Sequence, residues 1–161
     1  MIRINHIGIA GGVSLGPRKL AQLEQMLTFF QSQGFGMIEL GVTGLGLIVN
    51  GAVRRRELAE VAAVLRNFDL RYNLHAPNRL NLAYDTRHEL CRQVMHSLIE
   101  ICRAFGVDRL VYHSGLQALD DAYHGVRRAL LSADEPAPGA AREGAAFCGI
   151  APRAADAGLV I

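Results

Sequence analysis

Tryptophan is missing from this chain of 161 residues, and cysteine occurs only at Cys91, Cys102 and Cys148. The three cysteines form no Cys-x-x-Cys pair and no even-numbered framework, which argues against a disulfide scaffold and fits a reducing compartment. Cys91 and Cys102 fall in one predicted helix, where the expected role is that of a small buried hydrophobe. An excess of charge is lacking too: 17 basic and 15 acidic residues leave a formal net charge of +2. That is too little to announce a nucleic-acid or membrane partner. No apolar run approaches the roughly 20 residues of a membrane span, and no basic stretch followed by a hydrophobic one opens the chain. The cytoplasm is the expected location. Hydrophobic residues, by contrast, make up 50% of the chain, enough for one domain with its own core and too little for two.

The pattern of that hydrophobicity alternates between strand and helix. Ile2 to Ile9 reads as a buried first strand closed by Gly11-Gly12. Leu20, Leu23, Leu27 and Phe30 recur at helical spacing after Pro17, with Gly34 placed to end that helix. Met37 to Leu40 predicts a second strand, and Val42 to Gly51 an apolar, glycine-rich loop. A second helix carries Leu58, Val61, Ala62 and Leu65. Leu70 to His75 predicts strand three, and a helix from about Thr86 to Phe105 carries Leu90, Val94, Leu98, Ile101 and Phe105 on one stripe. Gly106 ends it, Arg109 to His113 predicts strand four, and Gly158 to Ile161 reads as the opening of a fifth. Strands alternating with helices imply a parallel sheet. Residues 132–150, rich in Ala, Gly and Pro, interrupt the repeat and read as an irregular insertion or linker, and Pro152 is expected to break the chain again just after it.

Strand parity locates a site. In strand three Arg71, Asn73 and His75 share one face and Leu70, Tyr72 and Leu74 the other. In strand two Ile38 and Leu40 face the helices, so Glu39 points the opposite way. Strand four again ends in histidine, His113. Neighbouring strands lie roughly 4.8 Å apart, which lets both imidazoles reach one metal ion or one substrate oxygen at the C-terminal rim. Barrels of alternating strands and helices keep their active sites on that rim. A doubly wound open sheet uses the same edge and is the rival architecture.

His75-Ala76-Pro77 with Asn81-Leu82-Ala83, then Val111-Tyr112-His113-Ser114-Gly115, preceded by Ile38-Glu39-Leu40, resembles the xylose-isomerase-like barrel superfamily. That group includes sugar-phosphate isomerases and epimerases and the endonuclease IV type of abasic-site nuclease. The resemblance implies an α/β fold, a (β/α)8 barrel with a divalent metal (Zn, Mn or Mg) on its C-terminal rim. A complete barrel takes about 250 residues, so the resemblance implies the N-terminal half only. That is about four βα units plus the start of strand five, forming a single truncated domain over residues 1–161. It makes His75 and His113 metal ligands, as in the nuclease branch. In the isomerase branch the strand-three and strand-four histidines more often line the sugar pocket, with Glu39 as a catalytic group from strand two. Asn78, Asn81 and Ser114 become substrate contacts. The later carboxylate and histidine ligands of the isomerase branch have no counterpart in this sequence.

Each of these residues also has a plain structural reading. Either histidine alone could be a satisfied strand-end residue; two at equivalent positions favour a site. Glu39 could belong to an ion pair, because an inward carboxylate is costly without a partner. Asn78 and Asn81 are common loop and turn residues. Arg54-Arg55-Arg56 is followed by Glu57 and Glu60 and reads as a solvated helix start, although phosphate is the alternative. His88-Glu89 opens a metalloprotease-like motif, but Arg92 holds the second histidine position. His6, His96 and His124 have no convergent partners in the sequence.

The expected function is therefore a sugar or sugar-phosphate isomerase or epimerase acting by metal-assisted proton transfer, inactive as this fragment. The alternatives are an abasic-site nuclease and a non-catalytic fragment that associates with itself through exposed sheet edges. Near-neutral charge and the lack of long basic loops weigh against nucleic acid. The expected partner is a small sugar or sugar phosphate.

Overall fold

A computed structural model describes residues 8–13, 16–83, 87–113 and 140–161. In chain order its elements are β1 (Gly8–Gly11), α1 (Lys19–Ser32), β2 (Met37–Gly41), α2 (Val42–Leu45), β3 (Ile48–Val49) and β4 (Ala52–Val53). They continue with α3 (Arg55–Leu65), β5 (Arg71–His75), α4 (His88–Phe105), β6 (Leu110–Val111) and α5 (Ala140–Asp156). Among the described residues no helix is long and apolar enough to cross a membrane.

Four strands form one parallel sheet in the order β1-β2-β5-β6. Beyond β6, Val160 bridges Arg109 in parallel: the Leu110 amide donates to the Val160 carbonyl at 2.9 Å, and the Val160 amide to Asp108 at 2.8 Å. Spatial order follows chain order with no reversal, whereas a doubly wound sheet reverses direction at a switch point. Burial agrees. Ile38, Leu40, Leu74 and Leu110 lie buried against the helices, while Glu39, Asn73 and His75 on the opposite face are only half-buried. Helices cover one face, and the other is the concave side of a partial (β/α) barrel.

Helix–sheet packing supplies the core. Leu23 and Leu27 of α1, Val61 of α3, and Met95, Leu98 and Ile101 of α4 are fully buried. Each contributes about 1.5–3 kcal/mol relative to exposure in water. On α4 the stripe read in sequence holds at Leu98 and Ile101, with Val94 and Phe105 partly buried against the core. Leu90, however, is 43% exposed, and Cys91, Met95 and Cys102 join the buried face. Gly106, at φ +66°, takes the left-handed turn that releases the chain into β6.

Two segments depart from expectation. The glycine-rich run after β2 is no plain loop: it forms α2 and then a hairpin, with Ile48 opposite Val53 and Val49 opposite Ala52. Asn50 and Gly51 make the turn with φ +48° and +79°, the backbone that a two-residue Asn-Gly hairpin requires. The hairpin then seats on α4, where the Ser97 hydroxyl donates to the Gly51 carbonyl at 2.6 Å. The irregular segment expected over 132–150 is, from Ala140 onward, part of α5. Alanine is the strongest helix former, and Ala146, Ile150 and Ala154 recur every four residues and are buried. Pro152 lies inside α5 and does not break it. Of the first expected strand, residues 8–9 fall in β1 and the rest lies outside the described residues.

Candidate functional site on the strand rim

Register brings the two histidines together. His75 sits opposite Val111 in the β5–β6 pair, and His113, two residues beyond Val111, projects to the same face. The two Nε2 atoms are 2.9 Å apart, with ring centroids at 4.8 Å and planes inclined by 51°. His75 Nδ1 lies 2.7 Å from the Ala76 carbonyl. A carbonyl only accepts, so Nδ1 carries the proton and Nε2 of His75 keeps its lone pair. Fixing the ring through a backbone carbonyl is the arrangement usual for a metal-ligating imidazole.

The pair suits two positions on one divalent ion, since imidazole nitrogens bind zinc at roughly 2.0–2.1 Å. A catalytic zinc takes three protein ligands plus water. Among the described residues no group of three or more His, Cys, Asp and Glu side chains converges to hold a metal. The described donors therefore do not make a complete metal centre. They do make a hydrogen-bonded pair at the rim: with Nε2 of His75 accepting, Nε2 of His113 donates to it at 2.9 Å, and a ligand there would replace that bond.

Glu39 shares that face. It pairs in register with Asn73, while Gly41 pairs with His75, which sets the carboxylate two residues, roughly 7 Å, below the imidazoles. It takes no part in the ion pairs among the described residues. Asn78 is exposed on the loop that leaves β5. Asn81 is 2% exposed, and its Oδ1 accepts the Ala83 amide at 2.8 Å. Ser114 lies outside the described residues, as do His6 and His124. The three arginines 54–56 are each paired, with Glu57, Glu100 and Glu60 respectively.

The rim loop 76–83 is held by groups the sequence did not single out. Tyr112, next to His113, accepts the Leu82 amide at 2.9 Å and donates to Glu143 Oε1 at 2.7 Å. Burial of the ring and the neighbouring Glu143 carboxylate push its hydroxyl pKa well above the ordinary phenol value, against the Leu82 amide that draws it down. Arg142 Nη1 donates to the Ala83 carbonyl at 2.7 Å, and His88 Nδ1 lies 3.1 Å from the Leu82 carbonyl. Tyr112 was visible inside the Val-Tyr-His-Ser-Gly motif, but its partners come from the segment read as irregular. No local pattern connected them.

No family model and no curated protein sequence matches the chain. Solved structures do. The chain is similar to a D-psicose 3-epimerase determined in the presence of D-fructose, at TM-score 0.61 and 15% identity, covering 96% of this chain and 50% of that one. It is similar to the D-allulose 3-epimerase from Methylomonas sp. in complex with D-allulose, at TM-score 0.61 and 17% identity over 96% and 49%. A third is the D-psicose 3-epimerase from Clostridium cellulolyticum H10 with D-tagatose, at TM-score 0.64 and 11% identity over 96% and 50%. The chain thus spans about half the length of the structures it matches. At such identities the likeness carries the fold, and the chain is a partial (β/α) barrel built like one half of these sugar epimerases.

Proposed function

We propose that the chain is the N-terminal, sugar-facing half of an isomerase- or epimerase-type barrel. The observation that carries this reading is the convergence of His75 and His113 at the rim, on a fold shared with ketohexose epimerases. Exchange at a carbon next to a carbonyl needs hydrogen-bonding groups on oxygen and a base for the carbon-bound proton. With the hydrogen bond between the two rings opened by a sugar, His113 would donate to a substrate oxygen and His75 Nε2 would accept from an adjacent hydroxyl. Glu39, on the same face and below them, is the candidate proton acceptor, while Asn78 and Ser114 would contact the sugar. Asn81 would act by shaping the loop. A divalent ion, when bound, supplies positive charge that polarises substrate oxygens, and His75 and His113 are the residues that would hold it. The remaining ligands are not among the described residues, so turnover by this chain alone is not expected.

The test is a titration of the full chain with D-fructose, D-tagatose and D-allulose, followed through the imidazole signals of His75 and His113 by NMR. A millimolar dissociation constant, about −4 kcal/mol, that is lost in His113→Ala supports the reading. Unmoved signals with all three sugars would refute it. A parallel zinc titration should show binding weakened about tenfold or more in His75→Ala. The abasic-site nuclease shares the histidine pair; cleavage of an abasic duplex with steep salt dependence would favour it over the sugar reading. Association of two copies through the sheet edges would appear as a dimer by sedimentation.

A further inference from the structure

A cleft of about 500 Å³ lies on the helical side of the molecule, lined by residues that include Arg55 of α3, Gln93, His96, Glu100 and Arg103 of α4, and Arg153 of α5. It shares no residue with the rim site. We propose that this cleft binds the phosphate group of a small phosphorylated metabolite.

Charge balance is the first argument. Three guanidinium groups face one carboxylate, and Glu100 Oε1 is already engaged by Arg55 at 2.8 Å. Among the described residues Arg103 reaches only the Arg153 carbonyl, at 3.3 Å, and the Arg153 guanidinium has no partner. Two planar forks are thus left to share one concave space, which suits the multiple oxygens of a phosphate better than a single carboxylate. Unmet polar groups are the second argument. Among the described residues, the buried side-chain nitrogens without a partner are Arg92 Nε and His96 Nδ1, one turn apart on α4, and of the two His96 lines the cleft. Orphaned buried polar atoms are rare in folded proteins and point to a missing partner. Burial and the cations Arg153 and Arg92 hold the His96 pKa below its ordinary value, with Glu89 opposing, and an anion bound beside it would favour the protonated imidazole. Volume is the third argument. Small-molecule sites fall at roughly 300–1,000 Å³, far more than a bare phosphate fills, which leaves room for an organic body.

The experiment is calorimetric titration of the full chain with inorganic phosphate and with a hexose 6-phosphate at fixed ionic strength, with acetate as control. Both phosphates should bind, and acetate should not. Tighter binding of the hexose 6-phosphate identifies an organic ligand, and equal binding identifies phosphate itself; either outcome supports the site. Arg103→Ala and Arg153→Ala should each weaken binding at least tenfold, and Arg153→Lys less. On the parent protein, saturating phosphate should raise the His96 pKa measured by NMR, because the anion offsets Arg92 and Arg153. Acetate binding as tightly as phosphate, an unmoved His96 titration, or full phosphate affinity in folded Arg153→Ala would overturn the proposal.

Discussion

Replacing Tyr112 by phenylalanine removes one oxygen and keeps the ring, which packs edge-on against Phe147 with centroids 5.3 Å apart. Two hydrogen bonds go with that oxygen. The Leu82 amide, in a residue with no exposed surface, loses its acceptor, and an orphaned buried amide costs about 1–3 kcal/mol. Glu143 loses the hydroxyl at 2.7 Å; a hydrogen bond to a charged group contributes about 1.5–3 kcal/mol. Water can rehydrate part of the carboxylate once the hydroxyl is gone, which brings the expected loss to about 2–4 kcal/mol. For a chain of this size each kcal/mol moves Tm by roughly 2–4 °C, so Tm should fall by about 4–16 °C. Urea denaturation followed by far-UV circular dichroism gives the free energy from the midpoint at unchanged slope. Hydrogen exchange at the Leu82 amide should quicken in the variant. A Tyr112→Phe protein within about 0.5 kcal/mol of the parent, with Leu82 exchange unchanged, would refute the claim that this hydroxyl ties α5 to the rim loop.

Thiol reactivity should divide the cysteines: Cys148 is exposed, while Cys91 and Cys102 are buried and burial pushes the Cys102 thiol up to about 12. An aromatic disulfide reagent at neutral pH should therefore modify one thiol of three rapidly, and a burst of two or three would contradict the packing of α4. At the alkaline end, burial raises Tyr72 to about 12 and raises Tyr112 as well. Both fold as neutral phenols, so their stabilising effect is complete below the ordinary phenol value near pH 10 and is lost as pH rises toward 12. Tyr72 and Tyr112 should then ionise late, together with unfolding. Tyrosinate absorbance in which Tyr72 and Tyr112, identified by their phenylalanine variants, titrate smoothly near pH 10 would show that burial does not hold them.

The parts of the fold that were readable in the sequence are those whose residues speak locally. The strands running through Ile38, Asn73 and Leu110, and the glycine at 106 that ends α4, are set by short-range hydrophobic alternation and turn chemistry, so the βα order and the meeting of the two histidines could be read directly. The hairpin was signalled by Asn50-Gly51, yet its arms are only two residues each. Its seat depends on Ser97, nearly fifty positions away. The α4 stripe read from sequence fails only at Leu90, because the buried face begins at Cys91 and is widened by Met95 and Cys102. In α5 the helix is secured by small buried side chains, which carry little hydrophobic signal by themselves. Tyr112, Arg142 and Glu143 act through partners distant in sequence, a connection no periodicity encodes.

Arg142 reaches the rim loop across 59 positions of chain, and Glu143 reaches Tyr112 across 31. During synthesis the loop therefore leaves the ribosome long before the helix that secures it. The histidines can be brought side by side by their strands at an early stage, but the loop between them can settle only after the residues from Ala140 onward have emerged. The order in which this rim is completed is written into where α5 falls in the chain.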